Sequence, residues 1–135
     1  VNNQNVNSKK VYCIDHSLTT SVSPGILANR GHLLENMIFV HLRQRTEELY
    51  YYRTKKSEEI DFIWLGDKNT KNLVQVTFTL NDPLTKKRET SSMFQAMDEL
   101  SIQESTIVTM DDEDIIEEYG KKINVVPAWK YLLAV

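Results

Sequence analysis

A three-layer α/β sandwich around a central mixed sheet is the fold class this sequence predicts. Three observations lead there. Three strand-like segments succeed one another between Leu49 and Leu80, with a helical pattern on either side. The last of them, Leu73 to Leu80, alternates Val74, Val76, Phe78 and Leu80 against Gln75, Thr77 and Thr79, a clean period of two. Beyond residue 100, short β-rich segments alternate with helix signals, which implies crossovers lying on the faces of a sheet.

Residues 1–8 carry four Asn and one Gln in the first seven positions and read as a disordered lead-in to one domain over residues 9–135. Lys10 to Ile14 is a short strand candidate, and Ser17 to Ser23, before Pro24-Gly25, reads as a loop. A helix is expected from about Gly31 to about Gln44, because Leu33, Leu34, Met37, Ile38 and Leu42 recur at helical spacing. Leu49 to Arg53 contains three consecutive Tyr, strong strand formers, and Lys55-Lys56-Ser57 turns the chain. Glu59 to Leu65 sets Ile60, Phe62 and Trp64 against Glu59, Asp61 and Ile63, and Gly66-Asp67-Lys68-Asn69 forms the turn into Leu73 to Leu80.

Asn81-Asp82-Pro83 ends that strand, and a helix is expected from Thr85 or Lys86 to Leu100 on the stripe Met93, Met97 and Leu100. Thr106 to Met110 reads as a strand. Asp111-Asp112-Glu113-Asp114 places acids where a helix dipole favours them, so a short helix is expected there with Gly120 as its C-cap. Lys122 to Val126 is a further strand, and Pro127 opens a terminal helix, Ala128 to Leu133.

Composition narrows the function classes. A chain of 135 residues, 41% hydrophobic and 26% charged, reads as an ordinary soluble globular domain. No apolar run reaches eighteen residues and the polar start is no signal peptide, so no membrane partner is expected and the expected location is the cytoplasm. A single Cys13 excludes an internal disulfide and suits a reducing compartment. Val1 in place of Met suggests a fragment of a longer protein. Net charge is −3, unevenly placed: residues 98–120 hold nine Asp/Glu and no Lys/Arg. Basic groups gather at Arg43, Arg45, Arg53, Lys55 and Lys56, and again at Lys86, Lys87 and Arg88, the candidate phosphate contacts.

The chemistry turns on Asp61 and on Gln75 with Thr77. Two residues apart on one strand, Gln75 and Thr77 project to one side, and the neighbouring strand carries Asp61. In a Mg²⁺-dependent nuclease such a pair is an acid and a lysine: the acids hold a hard cation, and the lysine steadies charge on the phosphate. Glu35, within a largely apolar helix, is a further acid that must be paired, metal-bound or protonated if buried. Other sites are poorly supported. Cys13 and His16 are two ligands without a second pair, and His32 and His41, nine apart on a helix, diverge by about 180°. No Gly-rich phosphate loop occurs.

The blocks Lys10-Val11-Tyr12-Cys13-Ile14-Asp15, Gly31-His32-Leu33-Leu34-Glu35-Asn36, Tyr51-Tyr52-Arg53, Glu59-Ile60-Asp61-Phe62-Ile63, Val74-Gln75-Val76, Arg88-Glu89 and Val126-Pro127-Ala128-Trp129 run over residues 9 to 133. In that order the chain resembles the domain of unknown function that lies C-terminal to the ATPase module in bacterial and archaeal AAA-type (P-loop) ATPases. The resemblance implies a restriction-endonuclease-like fold of the PD-(D/E)xK class, as in Holliday-junction resolvases. It matches Glu35 to the helix acid and Asp61 to the first metal-binding Asp. Gln75 falls where the second acid belongs and Thr77 where the lysine belongs, so the catalytic set is degenerate. Lys71, Lys86 and Lys87 are the candidates for a relocated lysine.

With its catalytic set degenerate, the chain is expected to carry out no catalysis. It reads as a nuclease-like accessory domain of a P-loop ATPase, binding nucleic acid or regulating the ATPase. It needs no cofactor of its own: Mg²⁺ is the candidate metal, at Asp61 and Glu35, and ATP belongs to the parent protein. The expected partners are DNA or RNA and the N-terminal ATPase module, with a homo-oligomer as a further candidate. The alternatives are a protein-interaction or oligomerisation module, using Asp111–Glu118 with Tyr50–Tyr52 or Trp129, and an active Mg²⁺ nuclease with a relocated lysine.

Overall fold

A computed structural model describes residues 6–8 and 26–134 of the chain. The strand expected over Lys10 to Ile14, the loop after it, and Cys13 with His16 lie outside the described residues.

The elements are β1 (Val6–Ser8), α1 (Ile26–Arg43), β2 (Tyr50–Arg53), β3 (Glu59–Leu65), β4 (Lys71–Val76), α2 (Pro83–Leu100), β5 (Glu104–Thr109), β6 (Asp114–Glu118), β7 (Lys121–Pro127) and α3 (Ala128–Leu133). They build one seven-stranded mixed sheet in the order β1-β2-β3-β4-β5-β7-β6. Strands β1 to β4 pair antiparallel, β4 with β5 and β5 with β7 parallel, and β6 with β7 antiparallel. Within the stretch expected to be a disordered lead-in, Val6–Ser8 is a strand at the β2 edge.

Each face of the sheet has its own core. Met93, Ala96 and Met97, spaced i, i+3, i+4 along α2, pack on Ile60, Ile107 and Ile123. Leu34, Ile38 and Leu42 of α1, with Ala128 of α3, pack on Phe62, Val74 and Val108 of the opposite face. The mixed α/β class and the layering therefore agree with the sequence reading.

Two boundaries moved for local reasons. Helix α1 begins five residues before Gly31, at Ile26, and is closed by Arg43, whose guanidinium donates to the carbonyls of Thr46 and Glu47 at 3.0 and 2.8 Å. Helix α2 begins at Pro83, because Asp82 is its N-cap and accepts the Thr85 N–H at 3.0 Å.

One element changed type. The acidic stretch expected to be a short helix with a Gly120 cap is strand β6. Tyr119 and Gly120 both have positive φ, 56° and 73°, and close a two-residue hairpin that pairs Glu118 with Lys121. Positive φ at both central residues gives the turn whose twist matches paired strands, which favours a hairpin over a helix end. The β-branched Ile115 and Ile116 suit the strand. Consequently the parallel pair β5/β7 is connected through an edge strand, not through a helix.

Candidate functional site

The site expected from sequence sits where β3 and β4 part. Tyr50 pairs with Ile63 and Tyr52 with Ile60, so β3 advances three residues while β2 advances two. The extra residue is a β-bulge at Asp61–Phe62. On the other side the β3–β4 ladder runs from Leu65–Lys71 to Phe62–Val74 and goes no further. Strand β4 therefore ends at Val76 and not at Leu80. Its continuation bonds on the β5 side, from the Thr77 N–H to the Val108 carbonyl and from the Met110 N–H to the Phe78 carbonyl, both 3.0 Å, and then to the Asp112 carboxylate, which accepts the Leu80 N–H at 2.7 Å.

Side chains close the gap the ladder leaves. The Asp61 carboxylate accepts the Val76 N–H at 2.9 Å, and the Gln75 side-chain oxygen accepts the Asp61 N–H at 2.9 Å. The Gln75 amide then donates to Glu89 of α2 at 2.8 Å, and Glu89 pairs with Arg88 at 3.4 Å. Asp61 and Gln75 are 9% and 8% exposed, so these bonds form largely out of water, where an unmade one is costly. A glutamine fits position 75 because it accepts from one neighbour and donates to the other. A glutamate there would face the Glu89 carboxylate with no proton to share.

Two further expected residues flank this network. Thr77 lies half-buried just past β4. Glu35 is half-buried on α1, one turn before Phe39, whose ring stacks on Phe62 with centroids 6.5 Å apart. That stack brings the Glu35 face of the helix toward the bulge. Asn36 beside it is buried, and its side-chain amide has no acceptor among the described residues. Among the described residues no three His, Cys, Asp or Glu side chains converge into a metal-binding group.

None of the candidate lysines joins Asp61 and Gln75. Lys71 begins β4, four residues before Gln75, and donates to the Leu100 carbonyl at 3.2 Å. Lys86 pairs with Asp114 at 3.5 Å. Lys87 is two residues from Glu89, about 200° around the helix, and faces a different groove. A cation the sequence reading missed does approach this end of β4: the Arg30 guanidinium lies 5.8 Å from the centroid of the Phe78 ring. Glu89 was missed as a site partner too. Glu89 stands in the Arg88-Glu89 block, but its pairing with Gln75, like the approach of Arg30 to Phe78, joins separate elements and leaves no local pattern.

Most of the clustered basic groups have partners within the fold. Arg43 seals the end of α1. Arg45 donates to the His41 carbonyl at 3.0 Å, and its charge, after burial, holds the His41 ring below its ordinary pKa of 6.5. Tyr131 of α3 packs on that ring, and burial pushes its hydroxyl up to about 12. Arg53 pairs with Glu59, Lys86 with Asp114 and Arg88 with Glu89. The Lys55 N–H donates to Glu99 of α2, which also accepts from Tyr52 and Gln95. Burial alone would raise the Glu99 carboxyl, but hydrogen bonds from Gln95, Tyr52 and Lys55 hold it below 4.5. Lys56 and Lys87 both line an open groove, with Lys121, Asp98, Glu118 and Tyr119. Trp129 is 60% exposed, whereas Tyr52 is buried and Tyr50 and Tyr51 are half-buried. No helix among the described residues is long and apolar enough to cross a membrane.

Comparison with known proteins places the chain among relatives. The sequence profile of a domain of unknown function, DUF4143, matches residues 30–131. The uncharacterized protein MJ1544 of Methanocaldococcus jannaschii is 32% identical over 138 residues, covering 95% of this chain and 30% of that protein. The chain thus spans less than a third of that relative's length. No solved structure matches it.

Proposed function

The chain belongs to the DUF4143 family, and from that premise we propose that it is a non-catalytic, restriction-endonuclease-like accessory domain of a P-loop ATPase, acting by binding and not by cutting. One observation carries the proposal: the polar groups at the expected catalytic position are already committed to one another. Asp61 holds the Val76 N–H, and Gln75 bridges the Asp61 N–H and Glu89. Gln75 brings no negative charge to a divalent cation, and Thr77 brings no positive charge to a phosphate. The ATPase rests on the family resemblance, and the greater length of the archaeal relative is compatible with a multi-domain parent.

Regulation of the ATPase part is the first reading, and nucleic-acid binding the second. The second rests on Lys56 and Lys87 lining one groove with Lys121, beside Asp98 and Glu118. Two phosphate contacts give a salt slope of about −1.8, hence roughly a tenfold loss between 50 and 200 mM salt, against roughly 10³–10⁵ for a protein with six to ten contacts. Binding through this groove is correspondingly weak.

Supercoiled plasmid incubated with the chain and Mn²⁺ should stay intact, and calorimetry should show no Mn²⁺ uptake. Nicking that needs Mn²⁺ and disappears in Asp61→Ala would overturn the non-catalytic reading. Deleting the domain from the parent protein should change its ATP hydrolysis rate severalfold, and an unchanged rate removes the regulatory reading.

A further inference from the structure

We propose that the outer edge of β6 docks an extended, positively charged segment of another protein, which joins the sheet as an added strand. Strand β6 ends the sheet order, and four of its five residues, Asp114, Ile115, Glu117 and Glu118, are exposed. A row of main-chain donors and acceptors along such an edge is a template for strand addition, with alternate side chains setting specificity. Outward-facing N–H groups alternate along the strand. The N–H of Ile115 is taken by the neighbouring Asp114 carboxylate at 2.8 Å, a local bond that an incoming strand can replace.

Charge identifies the occupant. Glu117 and Glu118 stand directly opposite Lys122 and Lys121 in the hairpin. Those lysines turn elsewhere, Lys122 to Glu104 at 4.0 Å and Lys121 to Asp98 at 3.7 Å. Among the described residues, Glu117 and Glu118 are left with no ion pair. Asp114 is paired with Lys86, and Glu118 shares a groove with Lys56, Lys87 and Lys121, so among the described residues Glu117 and Glu118 are the edge acids outside any ion pair and open to an incoming cation.

Beside it, between the β6–β7 hairpin and α3, lies an open groove of about 530 Å³ lined by Ile115, Asn124, Val126 and Lys130. Ile115 is 58% exposed and offers the apolar contact for one side chain of the added strand. A second copy of this chain does not fit. Antiparallel self-pairing about Ile116 would set Asp114 against Glu118 and oppose like charges across the new ladder. The acids that keep β6 from pairing with itself select a strand bearing Lys or Arg.

The probe is a ten-residue peptide of alternating Lys and Val, added at low ionic strength to the 135-residue chain while amide exchange is followed by NMR. Exchange at Ile115 and Glu117 should slow at least tenfold. A peptide of alternating Glu and Val, and the Lys–Val peptide with every amide N-methylated, should leave both amides unchanged. Glu117→Lys/Glu118→Lys should lose the protection while keeping the circular dichroism of the parent. Equal binding by the N-methylated peptide reduces the site to nonspecific charge and overturns the proposal. So does protection confined to another strand, or protection of Ile115 and Glu117 by raising the concentration of the chain alone, which would mean self-pairing.

Discussion

Two acidic clusters occupy different places in the same sheet's pairing order and behave differently. At the bulge of β3, Asp61 and Glu89 are tied by hydrogen bonds to Gln75 and the backbone, and Glu89 also to Arg88. Along β6, Glu117 and Glu118 face outward while the lysines opposite them are engaged elsewhere. The same residue type is bound into the fold where donors surround it and left without an ion pair where its cationic neighbours are engaged elsewhere. What separates the two is the supply of partners, and exposure accompanies it.

The comparison breaks if Asp61 is not structural. Replacing it with Ala removes the acceptor of the buried Val76 N–H and should lower stability by about 3 kcal/mol in urea unfolding. A metal-holding acid relieved of its own charge would instead give unchanged or increased stability.

The next test concerns the fit of Gln75. Gln75→Glu sets two carboxylates together at a position only 8% exposed and should cost about 2 kcal/mol at neutral pH. The cost should shrink under acidic conditions, because a proton shared by the two carboxylates restores a donor. A pH-independent loss would mean the Glu89 contact is unimportant.

Glu99 offers a gentler probe of the enclosed class. Its carboxyl is held below 4.5, so the stability it contributes is present above that value and is lost as pH falls through the folded pKa. Below about pH 4.5 the melting temperature of the parent should drop more steeply than that of Glu99→Gln. Parallel curves would show that Glu99 does not anchor the β2–β3 turn.

The smallest effect belongs to the open edge. Glu117→Gln should change stability by less than about 0.5 kcal/mol, since no ion pair is lost. A larger loss would return Glu117 to the structural class.

Much of the framework was legible because its signal is local. Glu59–Leu65 and Ala128–Leu133 were expected with the bounds they have, the first from its apolar and polar alternation, the second from Pro127 before an amphipathic turn. Strand β6 was misread because four successive acids carry a helix-start signal, whereas the hairpin depends on both Tyr119 and Gly120 taking positive φ. The end of β4 was misread because Thr77 to Leu80 keep the alternation of a strand, while pairing with β3 stops at Val74, beside the bulge. The departures at 75 and 77 from an active nuclease pattern were visible in the chain, but the compensation by Glu89, fourteen residues beyond Gln75, was not.

The placement of β7 has a consequence for how the sheet is completed. It lies between β5 and β6 although it comes after both in the chain, so neither of them can gain its final neighbour until β7 arrives. During synthesis β5 stands as a temporary edge, its Ile107 and Val108 committed to pairs that do not yet exist. Parallel pairing deferred in this way raises the sequence separation of contacts and slows folding. A nascent chain halted before Lys121 should therefore be protease-sensitive as far back as β5, and release of the segment from Lys121 onward should protect both strands together.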